Sequence, residues 1–217
     1  MKIGTIPPHW ISEQQNLAAR AIISPFKPLP CFIAGADIAF SPNGTQAVAV
    51  AIVWDRTENR IIEKSISRRD VEYPYIPGFL SFREAPALLD AIAGLKQEWQ
   101  VICFDGQGMA HPRGCGLATH MGVTLDRPSI GIAKSRLCGE YVEPATPAGS
   151  YSPLRLDGKI VGSVLRTRDN VKPVFISVGH RMDLPSARRI AMACCTGYRI
   201  PAPTRLADIL TRQCRLS

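Results

Sequence analysis

Four carboxylates stand at positions where a carboxylate demands an explanation. Asp37 interrupts the apolar run "CFIAGADIAF", where an aspartate costs free energy unless it is paired or bound to a cation. Asp105 follows "VICF", at the carboxyl end of a second apolar run, the place where open α/β sheets keep functional groups. Glu84 opens one helical pattern and Asp208 lies inside another. Taken singly, Asp105 with Gly106 reads as a turn, Glu84 as a helix N-terminal charge and Asp208 as a solvated helix residue. Taken together, two strand carboxylates and two helix carboxylates make a hard-oxygen donor set suited to Mg²⁺ or Mn²⁺. The chain has 217 residues and a net charge of +8, which favours an anionic partner such as nucleic acid. Metal-assisted hydrolysis of a phosphodiester is the chemistry that unites the acidic set with the basic surface. Spacing by itself does not bring the four side chains together.

The elements that must position them follow from hydrophobic periodicity and turn chemistry. Apolar and alternating runs predict strands over 31–40, 45–55 and 60–70, joined by the turn clusters "SPNG" and "RTEN" as an antiparallel meander. Next come a helix over 83–98 with Glu84 and Pro86 in its first turn, a short strand at "VICF" and a helix over 114–126. A strand over 129–134, a hairpin over 151–168 turning at "DG" and a strand over 173–180 follow. Helices over 184–195 and 203–216 end the pattern, the last with Thr204 as N-cap, and a short helical pattern over 12–23 precedes the first strand. The order predicts one α/β domain over 1–217, with a mixed sheet flanked by helices.

Seven cysteines, an odd number without CxxC spacing, argue against a zinc site or a disulfide framework and for a reducing cytoplasm. No segment approaches the roughly 18 apolar residues of a membrane span, and the first residues lack the apolar core of a signal peptide.

The segment "VEYPYIPGFLSFREAP" is unusual for a connection. Pro74, Pro77 and Pro86 stiffen it, Gly78 permits a turn, and the stiffened backbone carries Tyr73, Tyr75, Ile76 and Phe79. With "AGADIAF", "FDGQGMAHPRGCGLATHMGV", "SIGIAKSRLCG", "ISVGHRMD" and "RIPAPTRLAD", it occurs in an order that resembles the endonuclease V family over Cys31 to Asp208. The resemblance implies a ribonuclease H-like fold and Mg²⁺-dependent cleavage of DNA at the second phosphodiester 3′ to deoxyinosine, with 3′-hydroxyl and 5′-phosphate ends. Mn²⁺ is the expected substitute metal, the partner is inosine-containing DNA with RNA as an alternative, and the default state is a monomer. The family's metal carboxylates map onto Asp37, Glu84 and Asp105, with a further acidic or histidine position at Asp208. Its lysine maps onto Lys134 and its histidine onto His111.

In that family the proline loop is a wedge, which implies DNA contact by Tyr75, Ile76 and Pro77. Removing a base from the stack costs a few kcal/mol, and a rigid apolar loop suits the vacated space. The lesion pocket would then use N–H donors at Gly106 and Gly108 to reward the O6 of hypoxanthine, with Gly78, Leu80 and Leu137 as walls. His120 and His180 read as structural. Arg68, Arg69, Arg136, Arg166, Arg168, Arg181, Arg188, Arg189 and Arg205 form the pool of phosphate contacts. Two other readings compete: a different ribonuclease H-like nuclease, which shares the acidic set but has no need of the wedge, and a nucleic-acid-binding module without catalysis, whose signature would be loss of the carboxylates at Asp37 or Asp105, both of which are present.

Overall fold

In the computed structural model, which describes residues 6–214, eight strands form one mixed sheet. β1 (Phe32–Phe40), β2 (Gln46–Asp55) and β3 (Arg60–Asp70) pair antiparallel as the expected meander. β4 (Val101–Phe104) pairs parallel to β1, and β5 (Ser129–Ala133) pairs parallel to β4. β6 (Tyr151–Leu156) and β7 (Lys159–Leu165) form the hairpin, turning at Asp157 and Gly158, both at positive φ. β8 (Val174–His180) pairs antiparallel with both β5 and β7 and joins the hairpin to the sheet, giving the order β3-β2-β1-β4-β5-β8-β7-β6.

Helices cover both faces because the central strands are apolar on both. Along β1, Ile33 belongs to one core and Ala34 to the other, as the two-residue period requires. Ile33 shares its core with Ala187 and Ile190 of α4 (Leu184–Ala193) and Ala207 of α5 (Ala202–Gln213). Ala34 packs with Leu88 and Ala91 of α2 (Leu80–Ala93) and with Met121 of α3 (Leu117–Leu125). Helix α1 (His9–Arg20) leans on α3 through Leu17 and Val123. No described helix is long and apolar enough to cross a membrane.

Three local expectations are corrected. Helix α2 begins at Leu80, not at 83, so Glu84 and Pro86 lie beyond its first turn, and Pro86 is an interior proline. The aromatic packing of Phe79 and Phe82 on Trp10 starts the helix earlier than capping chemistry would. Thr204 is not an N-cap: α5 starts at Ala202, and the Thr204 hydroxyl donates back to the Pro201 carbonyl. Helix α1 runs three residues ahead of the pattern read over 12–23, because Pro8 sets its start. Of the final helix expected over 203–216, the last two residues lie outside the described ones.

Candidate active site

The register of β1 and β4 places the first two carboxylates. Ala36 pairs with Phe104, so the next residues stand side by side, Asp37 within β1 and Asp105 just past the carboxyl end of the parallel β4. Both share the sheet face of Ile33 and Cys103, the face that α5 covers. Helix α5 can lie this close because Gly35 has no side chain: a Cβ there would sit 2.2 Å from the Pro203 carbonyl oxygen. That approach delivers Asp208, and α2 delivers Glu84 from a buried position, 8% exposed.

The electrostatics record the convergence. Burial, then the charges of Asp105 and Asp208, push Asp37 up to about 6. Burial, then Asp37 and Asp105, push Glu84 up to about 8. These are the shifts expected of carboxylates gathered without an equal positive charge. Lys134, one residue past β5, supplies part of that charge through an ion pair with Asp105. Its own affinity for a proton is raised, because the hydrogen bond to Asp105 and the charges of Asp208 and Asp37 outweigh its desolvation. Asp208 is bridged by Arg212 at 2.8 Å, one turn along α5.

By charge and donor type the cluster fits a hard divalent cation. Among the described residues, however, no group of three or more His, Cys, Asp or Glu side chains is placed to hold a metal ion. The four carboxylates thus interact as a cluster without forming a closed set of ligands, and Lys134 occupies one side of Asp105.

Beside the cluster lies a cavity of about 350 Å³ that shares Asp105 and Lys134 with it. Gly78, Leu80, Gly106 and Leu137 line it as expected, and so do Tyr75, expected at the wedge, and His111, expected at the catalytic site. Gly108 does not. Its N–H donates to the Ser177 hydroxyl at 2.7 Å, and a Cβ would meet the Val178 carbonyl oxygen at 2.1 Å. Gly108 is a close-packing glycine against β8. The Gly106 N–H is likewise engaged by the Phe104 carbonyl at 3.0 Å, so the donors expected for hypoxanthine O6 are both held within the protein.

The proline loop divides between surface and core. Tyr75 is 57% exposed and Pro77 is exposed, but Ile76 is 4% exposed in a cluster with Trp10, Phe79 and Phe82. Ile76 therefore anchors the loop rather than tipping it. His111 is buried, and burial followed by the nearby Arg113 charge holds it down at about 4, so it faces the cavity as a neutral ring. His120 bonds Ser81 at 3.1 Å and His180 bonds Asp126 at 3.0 Å, both within the framework. Three arginines leave the expected phosphate pool. Arg166 is buried and engaged with Glu143 and the Pro144, Ala145 and Val171 carbonyls, Arg181 is paired with Asp126, and Arg69 is paired with both Glu72 and Asp90.

Sequence reasoning missed Gln14, Gln107 and Ser135 in the cavity wall. Gln107 lies inside the "DGQG" motif, where the glycines drew attention from it; Gln14 carried no signal beyond a helical pattern.

An endonuclease V family model matches residues 15–209. The chain belongs to the endonuclease V family. It is 54% identical over 179 residues to the endonuclease V of Methanothrix thermoacetophila, which spans 82% of this chain and 79% of that one. The crystal structure of endonuclease V from Streptomyces avermitilis superposes with a TM-score of 0.92 at 38% identity, covering 98% of this chain and 94% of the other. Endonuclease V of Ciona intestinalis, in complex with a 23mer DNA containing an inosine followed by a ribo-adenosine, superposes with a TM-score of 0.84 at 27% identity, covering 94% and 95%. The architecture is thus the ribonuclease H-like one expected, and the family is one of metal-dependent nucleases.

Proposed function

We propose that this endonuclease V takes deoxyinosine into the cavity beside Asp105 and hydrolyses the second phosphodiester on its 3′ side, leaving 3′-hydroxyl and 5′-phosphate ends. The observation that carries this reading is the sharing of Asp105 and Lys134 between the cavity and the carboxylate cluster. A base held in the cavity puts the phosphates that follow it next to the acidic residues. Bound Mg²⁺, or Mn²⁺ in its place, would activate water and neutralise charge on the phosphate. Asp37 and Asp105 are the residues to hold it, with Glu84 and Asp208 completing the negative field. Lys134 offers an ammonium to the charge that develops on the phosphate. Tyr75 presents a ring on which a base neighbouring the flipped one can stack. Leu80 and Leu137 wall the cavity, and neutral His111 offers it a hydrogen-bonding ring without a charge. The protein works as a single-domain monomer in a reducing cytoplasm, in keeping with its seven free cysteines.

The test is a gel assay on a duplex with one deoxyinosine, run with Mg²⁺, with EDTA and beside Asp37→Ala. A nick one nucleotide beyond the inosine's own 3′ phosphate, lost with EDTA and in the variant, supports the reading. Equal cutting of an undamaged duplex, or a nick that survives Asp37→Ala, overturns it. The Ciona complex carries a ribonucleotide after its inosine, which makes inosine-containing RNA the second substrate to assay.

A further inference from the structure

Helix α1 does more than cover the sheet's companion helices. Trp10 is 3% exposed, stacks on Phe82 with centroids 4.5 Å apart and meets Tyr73 edge-on at 4.8 Å. One turn later Gln14 is fully buried and lines the cavity. Its amide nitrogen donates to the Gly78 carbonyl at 2.9 Å and to the Cys115 carbonyl at 3.3 Å, while its amide oxygen accepts from Arg113 Nε. Arg113 donates a second bond to the same Gly78 carbonyl at 2.7 Å, and its guanidinium lies 4.3 Å over the Phe79 ring. Gly78 sits at φ +79°, a conformation that the loop must be held in.

Apolar packing by Trp10 would fix only proximity. A buried amide costs free energy unless its bonds are made, and one that joins three segments through polar atoms fixes orientation as well. Both Trp10 and Gln14 precede the stretch matched by the family model.

We infer that α1 is a buttress for the lesion pocket, with Gln14 as a positioning residue that holds the Gly78 turn, and through it Tyr75 and Leu80, in the binding arrangement before substrate arrives. The inference rests on the proposed reading of the cavity. A loop ordered in advance loses less entropy on binding, so the effect belongs to recognition of the inosine strand and not to the carboxylate chemistry.

The experiment compares Gln14→Leu and Arg113→Lys with wild type on single-inosine and undamaged duplexes in Mg²⁺. Loss of a buried hydrogen bond of this kind predicts a rise in KM of about tenfold. The preference for inosine over undamaged DNA should fall with it, while kcat at saturation changes far less. The double variant should be little worse than either single one, because both act on Gly78. A merely structural role would lower the melting temperature and the active fraction and leave KM in place. Wild-type KM and preference in a folded variant overturn the inference, as does a fall in kcat at constant KM. If Gln14→Leu does not fold, Arg113→Lys decides alone, since it leaves α1 intact. If wild type shows no preference for inosine, the reading of the cavity has failed instead. Amide hydrogen exchange over residues 73–80 then decides on the buttress without substrate: faster exchange in the variant supports it, and equal exchange overturns it.

Discussion

Tyr75 and Ile76 are neighbours in the chain and point in opposite directions, one 57% exposed and the other 4%. The proline loop is thus a surface ring mounted on a buried aliphatic anchor. Tyr75→Ala should weaken binding of the inosine strand by about 1–3 kcal/mol, the usual range for a base–aromatic stack, without moving the melting temperature. Ile76→Ala should do the reverse first, destabilising the fold by about 2–5 kcal/mol through the cavity it leaves among Trp10, Phe79 and Phe82. Thermal melts and binding curves on the two variants separate the roles; equal melting temperatures would refute the anchor.

The carboxylate cluster carries a stability cost that Glu84 makes measurable. Its folded pKa, about 8 against the ordinary 4.5, lies above the unfolded one. Stability is therefore lost as pH rises from 4.5 through 8. In EDTA, wild type should melt at a lower temperature at pH 9 than at pH 6.5. Glu84→Gln should flatten that fall and melt several degrees higher at pH 9, while losing most nuclease activity. A variant that melts no higher than wild type at pH 9 would show that the cluster carries no such strain.

His111 and His120 act with the opposite sign. Burial, with Arg113 in the case of His111, holds both near 4. Each is below its unfolded value, so the stability of the neutral ring is present above about pH 6.5 and lost as pH falls from there toward 4. The Glu84→Gln background removes the main opposing carboxylate and should expose this limb. Adding His120→Gln should shallow it by about one proton's worth of slope, read from melting temperature against pH between 6.5 and 4.

Gly35 sets the distance from β1 to α5. Gly35→Ala places a Cβ against backbone at Pro203, where no side chain can swing aside. Helix α5 must retreat, at a cost of about 1–3 kcal/mol, and Asp208 retreats with it. Activity should fall at least tenfold although the substituted residue touches neither cavity nor substrate. Cleavage and melting assays check both arms, and full activity in the variant would remove Asp208 from the site.

The sheet was legible in the sequence because β1, β2 and β4 declare themselves by apolar runs and turn clusters, and the carboxylates by their intrusion into those runs. The burial of Ile76 is not legible, because an aliphatic residue between prolines carries no mark of which way it faces; Trp10, far away in sequence, decides that. The role of Gly108 is not legible either, because glycine spacing does not distinguish a backbone open to ligand from one pressed against β8. Gln14 carries no local signal, because its three bonds reach Gly78, Arg113 and Cys115, all distant in the chain.

β1 and β4 meet although Ile33 and Val101 are far apart in sequence, and Asp208 comes later still. Closing such loops is slower than forming the local meander of β1, β2 and β3. Asp37 and Asp105 become neighbours only when that distant pairing forms, and Asp208 joins them only when α5 docks. A chain still on its way to the native state holds its acidic residues on separate segments, so assembly of the sheet is itself the safety catch on a protein built to cut nucleic acid.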